Sequence, residues 1–394
     1  MDWPVIKIMA PDKTFLGEID LYTSLRFKRS WQGIGDFEIH IAAQEYNPSL
    51  FAADNLIMLD GDIHRAGIIR KMDTAVSSAG LEIVIQGQHL DGLLSQRIVI
   101  PYEGEANGGY FCVPKKASVS SVVKPVPAET ILKTFVREQI PYATSGSGIN
   151  PRGMYLDMES DMGRGMKTVW MSRYDPLDEV LQSVCEYTDM GYGIAMCFEE
   201  YGSAYYVFDV IEGVDRTEGQ NENSRVIMSL EFESIADIQY TMDTTSYRNV
   251  AYAGGAGEDY NRTVLAVTNE KAMPSGYQRK ETFVDCGSLD ITETDTALSL
   301  TEEGKHMLEE YKRAESMTAS ISSASPFKYR EHYDLGDLVT IYVPELGIAQ
   351  DMRVTEAEEC FEPNGISLNI TFGTAQPHIG RDPRAAAKNQ IGGI

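Results

Sequence analysis

Nucleophilic catalysis needs a serine or cysteine beside a histidine that an acid orients. The chain has six histidines: His40, His64, His89, His306, His332 and His378. None stands in the G-x-S-x-G or H-E-x-x-H spacing that would bring such partners together. His40 and His64 fall at polar positions of expected strands, and His306 lies on a helix face near Glu302 and Glu310. All six are read as surface or satisfied histidines. A glycosidase needs two carboxylates facing one bond. The obvious doublets are Glu302-Glu303, Glu309-Glu310 and Glu358-Glu359; they fit solvated helix faces and a strand edge. Asp157, Glu159 and Asp161 share the i, i+2, i+4 spacing of calcium ligands. The glycine and the distal bidentate glutamate of a calcium loop are out of register, so the cluster is read as structural. Three glycine-rich segments, Gly146-Ser-Gly148, Gly191-Tyr-Gly193 and Gly254-Gly255-Ala-Gly257, lack the Lys-Ser/Thr and strand-to-helix setting of a phosphate loop and are read as turns. The five cysteines, Cys112, Cys185, Cys197, Cys286 and Cys360, are scattered with no C-x-x-C pair. That pattern favours neither zinc nor a disulfide framework. No catalytic, cofactor-binding or metal residue is assigned, and no cofactor is expected.

Composition narrows the function classes. Of 394 residues, 43% are hydrophobic and 24% charged, as in globular proteins. The length is too great for one ordinary core and points to two or three domains. No stretch approaches the roughly 20 apolar residues of a membrane helix, so no membrane insertion is expected. The start, Met1 to Phe15, has no basic stretch followed by an apolar run, so no secretory signal is expected. Folding in a reducing cytoplasm is the natural expectation. A net charge of −25 offers no basic footprint and argues against tight nucleic-acid binding, while leaving room for DNA that passes without sticking.

The elements that would position these residues change character along the chain. Residues 1–100 are strand-rich: Phe37, Ile39 and Ile41 alternate with Glu38 and His40, and apolar runs at 56–59, 66–69 and 81–85 follow. Asn47-Pro48 opens a short helical turn, and His89 to Leu94 another. Residues 101–225 read as an α/β unit. Pro127 opens a helix with Ala128, Ile131, Leu132, Phe135 and Val136 on one face. Asp175 and Pro176 open a second, with Leu177, Val180, Leu181, Val184, Cys185 and Thr188 inward and Gly191 as its left-handed stop. Strands at 193–199 and 204–211 complete the unit. Residues 226–376 return to strands, interrupted by a helix expected over 299–319 with Ser299 and Glu302 as a capping box. The two β-rich ends are similar in size and read as structural duplicates. Residues 377–394 hold too little apolar material to fold alone and read as an extended or partner-bound tail. The fold class is therefore α+β, mainly β, in the order β, α/β, β.

Several segments in this order resemble a family of siphophage and prophage tail proteins of the baseplate hub. The first is Trp31-Gln-Gly-Ile-Gly-Asp36-Phe37-Glu38-Ile39-His40-Ile41. Next come Leu59 to Ile69, ending Ala66-Gly67-Ile68-Ile69, and Ile83 to Val99, containing Gly87, Leu90, Gly92-Leu93-Leu94 and Arg97. Asn249-Val-Ala-Tyr252-Ala-Gly254-Gly255, Asp334-Leu-Gly336-Asp337-Leu-Val339-Thr-Ile341 and Ile370-Thr-Phe372-Gly373 complete the likeness, which spans Val5 to about Gly373. The resemblance implies two tube-like β-barrel domains flanking the middle domain and a homotrimer whose six barrels form a pseudo-sixfold ring. It implies a place at the virion tail tip, against the distal-tail or tail-tube ring, with the tape-measure protein and fibre or tip proteins as neighbours. Many relatives continue into a C-terminal region bearing a peptidoglycan hydrolase or fibre attachment; this chain stops soon after the second barrel and is expected not to be an enzyme. Two other classes compete. A tail-associated cell-wall hydrolase would show a perturbed carboxylate in a cleft. A receptor- or glycan-binding protein is suggested by 21 tyrosines and three tryptophans.

Overall fold

A computed structural model describes residues 3–42, 47–77, 80–102, 109–115, 123–141, 144–145, 148–149, 151–199, 204–257, 261–287 and 293–373. The C-terminal tail expected over 377–394, with His378, and most of the Gly146–Gly148 segment lie outside the described residues.

Thirteen strands form one sheet. In chain order they are β1 (Ile6–Met9), β2 (Phe15–Ile19), β3 (Ser24–Ser30), β4 (Asp36–Ala42), β5 (Leu56–Leu59), β6 (Ala66–Ser77) and β7 (Gly80–His89). From the other end of the chain come β8 (Ile227–Ser229), β9 (Ile235–Asp243), β10 (Ala314–Ile321), β11 (Leu338–Val343), β12 (Ile348–Glu362) and β13 (Gly365–Gly373). The ladders run β9-β10-β13-β12-β3-β4-β7-β6-β5-β1-β2, with β11 on β12 and β8 on β11. Among the described residues no ladder closes either run of strands into a barrel; instead β3 leaves its own run to pair with β12 of the other.

Alternation built these strands as expected: Phe37, Ile39 and Ile41 of β4 are buried and enter one apolar cluster with Ile6, Ile8, Phe27, Ile83 and Ile85. β5 is apolar at every position because both its faces are covered. Ile57 and Leu59 join that cluster, while Leu56 and Met58 pack with the helices of the middle segment.

The two runs share one pairing map. β5-β6-β7-β4-β3 in the first corresponds to β11-β12-β13-β10-β9 in the second. Each long hairpin has a bulge at the same place: Ile69 pairs with Gly87 and Lys71 with Gln86, as Val354 pairs with Phe372 and Glu356 with Thr371. Seven pairs then run to the turn in both. Before the bulge, Ile69 exchanges backbone bonds with Asn55 and Asp54, as Val354 does with Asp337 and Gly336. Asp54 and Gly336 both take a positive φ, 69° and 87°. The match extends to the left-handed residue that bonds to the residue before each bulge.

Two helices carry the middle segment. α1 (Ala128–Gln139) and α2 (Leu177–Thr188) bury the apolar stripes expected of them. Pro127 and Pro176 are the N-cap residues, so α2 starts one position later than expected; the Asp175 carboxylate accepts from Ser172 Oγ at 2.7 Å instead of capping α2. The left-handed stop of α2 is Asp189, not Gly191, which begins the strand Gly191–Phe198. That strand pairs antiparallel with Ala204–Ile211, and Leu156–Met158 joins the latter in parallel. Between β9 and β10 the chain inserts strands Val250–Gly254, Val264–Val267 and Glu281–Asp285 with helix α3 (Glu293–Glu310). The helix expected over 299–319 thus starts earlier and stops at Glu310, and Ser299 lies inside it. Ala314 to Ile321 become β10 because Met317 and Ala319 are buried between β9 and β13: tertiary pairing overrides helix propensity.

Candidate functional site

The three parts of the chain meet at Trp31. Its backbone N–H donates to the Thr355 carbonyl at 2.9 Å, and its carbonyl accepts from Tyr192 N–H at 3.2 Å. Arg353 lies over the ring at 4.5 Å from its centroid. Gly191 and Gly336 approach the ring so closely that a Cβ on either would overlap it. Gly191-Tyr-Gly193 is therefore a strand start shaped for a close contact and not a turn. Trp31 Nε1 is buried without a hydrogen-bond partner, so packing fixes the ring.

From Trp31 the seam follows β3 and β12. Glu358 pairs with Arg26 at 3.1 Å, and Glu356 with Lys28 at 3.6 Å. The nearly buried Glu359 pairs with Arg65 at 3.3 Å. Glu358-Glu359, expected on a solvated strand edge, instead line an internal junction. Arg29 donates to Tyr329 Oη at 2.8 Å and pairs with Asp334 at 3.2 Å. Burial pushes the Asp62 carboxyl up, but hydrogen bonds from Arg330 and the His64 N–H bring it down to about 2. Charges of opposite sign thus border the seam on both sides.

The first run also seals the edge of the middle sheet. Along Gly191–Phe198, the N–H groups of Tyr192, Ile194 and Met196 go to Trp31 O, Asp91 Oδ1 and Ile63 O. An edge strand left open invites foreign pairing; here another part of the chain occupies it.

The histidines scatter among these features. His89 Nδ1 faces Asp91 Oδ2 at 2.7 Å, the half of a triad that orients an imidazole, but Nε2 faces the His64 carbonyl at 3.0 Å where a nucleophile would have to sit. His64 occupies the β5–β6 turn and not a strand; burial and then Arg29 and Arg330 lower its pKa. His40 lies 2.9 Å from Glu38 on one face of β4, and His332 Nδ1 accepts the Lys328 N–H at 3.0 Å. His306 departs from the expectation of a surface or satisfied group. It is buried between α3 and α2, its ring stacked on Trp170 at 4.0 Å and edge-on to Tyr187 at 4.5 Å, with Nε2 unpartnered. Burial pushes its pKa down to about 3. Beside it Tyr187 donates to Glu302 at 3.0 Å, and burial with Glu310 and Glu302 pushes Glu303 up to about 7. The helix face read as solvated is thus an interface. Its apolar signals were Trp170 and Tyr187, which sequence spacing alone did not connect to α3.

The other motifs lie away from the seam. Asp157, Glu159 and Asp161 are exposed, and no group of three potential metal ligands exists among the described residues. Arg262 donates to the carbonyls of Gly254 and Gly255 at 2.9 Å, which occupies that glycine segment. In the middle segment, the buried Glu129 is pushed up by burial, yet hydrogen bonds from Arg164 and Lys133 hold it well below the usual carboxylate range.

A mainly β chain whose two ends join in one sheet around an α/β segment is a fold found in phage tail proteins. The prophage MuSo2 43 kDa tail protein from Shewanella oneidensis superposes with a TM-score of 0.50 at 11% identity, covering 94% of this chain and 96% of that one. The tail protein from Neisseria meningitidis MC58 gives the same values, TM-score 0.50, 11% identity, 94% and 96% coverage. Prophage tail protein gp18 from Listeria monocytogenes EGD-e has a TM-score of 0.49 at 13% identity over 98% and 99% of the two chains. No curated protein matches the sequence. Residues 5–374 match the family of Siphovirus ReqiPepy6 Gp37-like proteins, and the chain belongs to that family.

Proposed function

We propose that the chain is the hub subunit of the tail tip. Three copies form a ring that adapts the sixfold tail tube to the tip and lines the DNA channel. Residues 1–100 and 226–376 act as two tube-like domains, residues 101–225 as a middle domain, and residues 377–394 as a tail that meets a neighbouring protein. The observation that carries this is the repeated pairing map, bulge included, with the two runs joined by β3 and β12. Two like units per chain and three chains supply six like units, the number a sixfold tube presents. The distal-tail or tube ring is the partner above, with the tape-measure protein and tip or fibre proteins as further neighbours.

The role is assembly and not catalysis. Supporting this, the Asp91–His89 pair is used to seal a strand edge, and the Glu358-Glu359 doublet to join two strands. Light scattering coupled to size exclusion tests the reading. Three chains of 43.8 kDa, about 131 kDa, are expected; a monomer at the highest soluble concentration would count against the ring.

A further inference from the structure

The junction inside the chain is a template for a junction between chains. Within the chain, β3 pairs antiparallel with the part of β12 that follows its bulge: Glu356 faces Ser30, Ala357 faces Arg29, Glu358 faces Lys28 and Glu359 faces Phe27. This closes the junction tightly, leaving Ala357 2% and Arg29 8% exposed.

The shared pairing map gives each of these strands a counterpart. Phe27 faces Phe37, which faces Gly87; Tyr240 faces Met317, which faces Phe372. Tyr240 therefore stands in β9 where Phe27 stands in β3, and Met242 stands for Arg29. Counting from the two bulges, Met72 of β6 stands for Ala357 of β12. At these counterpart positions the apolar side chains are part-exposed, Met72 at 38% and Met242 at 50%, with Arg313 against the Met242 sulfur. Among the described residues, β9 has a ladder only with β10, and β6 beyond Ile68 only with β7. Each chain thus presents the two halves of a junction that it has already made once internally.

We infer that β9 of one copy pairs antiparallel with β6 of a second copy. The register copies the internal one: Lys71 faces Asp243, Met72 faces Met242, Asp73 faces Thr241, Thr74 faces Tyr240 and Ala75 faces Gln239. The backbone ladder supplies most of the contact, and the two methionines cover each other on the inner face. Lys71, which lies against Asp73 of its own strand, gains an opposite charge across the junction in Asp243. The Trp31 N–H bond to the bulge carbonyl of Thr355 has its counterpart in Thr244 N–H and the Arg70 carbonyl. The contact is heterologous, so it makes a ring only if the rotation closes. Closure at three copies rests on the hub reading above, in which internal and intermolecular junctions alternate six times. Pairing also removes two open strand edges that would otherwise template aggregation.

Facing residues on antiparallel strands lie about 4.5–5.5 Å apart at Cα, within the span of a disulfide. The Met72→Cys, Met242→Cys double variant should therefore oxidise to a closed covalent trimer near 131 kDa, three chains of 43.8 kDa, that reductant returns to single chains. Each single variant should give no covalent trimer, which controls for the native cysteines. Met242→Lys should shift the assembly to monomer with an unchanged circular dichroism spectrum. A wild-type trimer with no 72–242 cross-link, and with Met242→Lys still trimeric, would overturn this junction and leave the ring standing. A wild-type monomer with no cross-link at the highest soluble concentration would overturn both.

Discussion

Gly191 and Trp31 show how much of the architecture rests on a missing methyl group. The Gly191 backbone lies against the indole, and the strand that begins there is held to the first run by Trp31 O. Gly191→Ala forces the ring or the strand to move in a packed junction, which costs about 1–3 kcal/mol. Chemical denaturation should show that loss, and the Trp31 emission should move to longer wavelength; an unperturbed variant would mean that the junction is loosely packed. Sequence made Trp31 visible as a family motif, but not as the meeting point of three segments, because its neighbours Gly191 and Gly336 lie far away in the chain. Titration behaviour was equally hidden. Glu303 and His306 oppose each other across pH. His306, shifted from 6.5 down to about 3, contributes stability above 6.5 that is lost as pH falls toward 3. Glu303, raised from 4.5 to about 7, contributes stability below 4.5 that is lost as pH rises through 7. Glu303→Gln should then match the wild type in Tm near pH 4.5 and exceed it at pH 8. The gain is modest, because 26% of the Glu303 side chain stays in water. No gain at pH 8 would place the carboxyl in solvent.

Among the elements, strands with strict alternation were legible and their partners were not. β4 and β13 could be read directly from apolar residues at every second position, because one face of each is buried and the other is not. Helix α3 was misplaced because Ala314 to Ile321 has the composition of a helix and becomes a strand only through its neighbours β9 and β13. The edge of Gly191–Phe198 was invisible for the same reason. It is closed by Asp91, which follows the first run and accepts the Ile194 N–H at 2.6 Å while its other oxygen faces His89. Asp91→Ala leaves a buried donor without an acceptor, a loss of about 1–3 kcal/mol. Hydrogen exchange should show the Ile194 amide losing protection ahead of its neighbours on the Ala204–Ile211 side. Unchanged protection at Ile194 would mean that water or a shifted carbonyl replaces the carboxylate.

At the scale of the whole molecule, the duplication of the two β runs is written in pairing and not in residues. Gly80 and Gly365 begin strands of matching pattern, Leu81-Glu82-Ile83-Val84-Ile85 beside Ile366-Ser367-Leu368-Asn369-Ile370, yet little beyond apolar alternation is shared. What the sequence does state plainly is charge. Each copy carries −25, so the proposed ring of three would concentrate like charge. A junction made mostly of backbone bonds and methionine contact, with Lys71 and Asp243 as its one charge pair, gains little from low salt, while repulsion among the copies is strongest there. Counterions shorten the Debye length to about 10 Å at 0.1 M and about 3 Å at 1 M, which weakens the repulsion and leaves the junction itself intact. Self-association measured by sedimentation equilibrium should therefore tighten as sodium chloride rises from low to near-molar concentration. Weakening with salt would assign the ring to ion pairs such as Lys71 with Asp243, and Lys71→Met would then abolish the salt dependence.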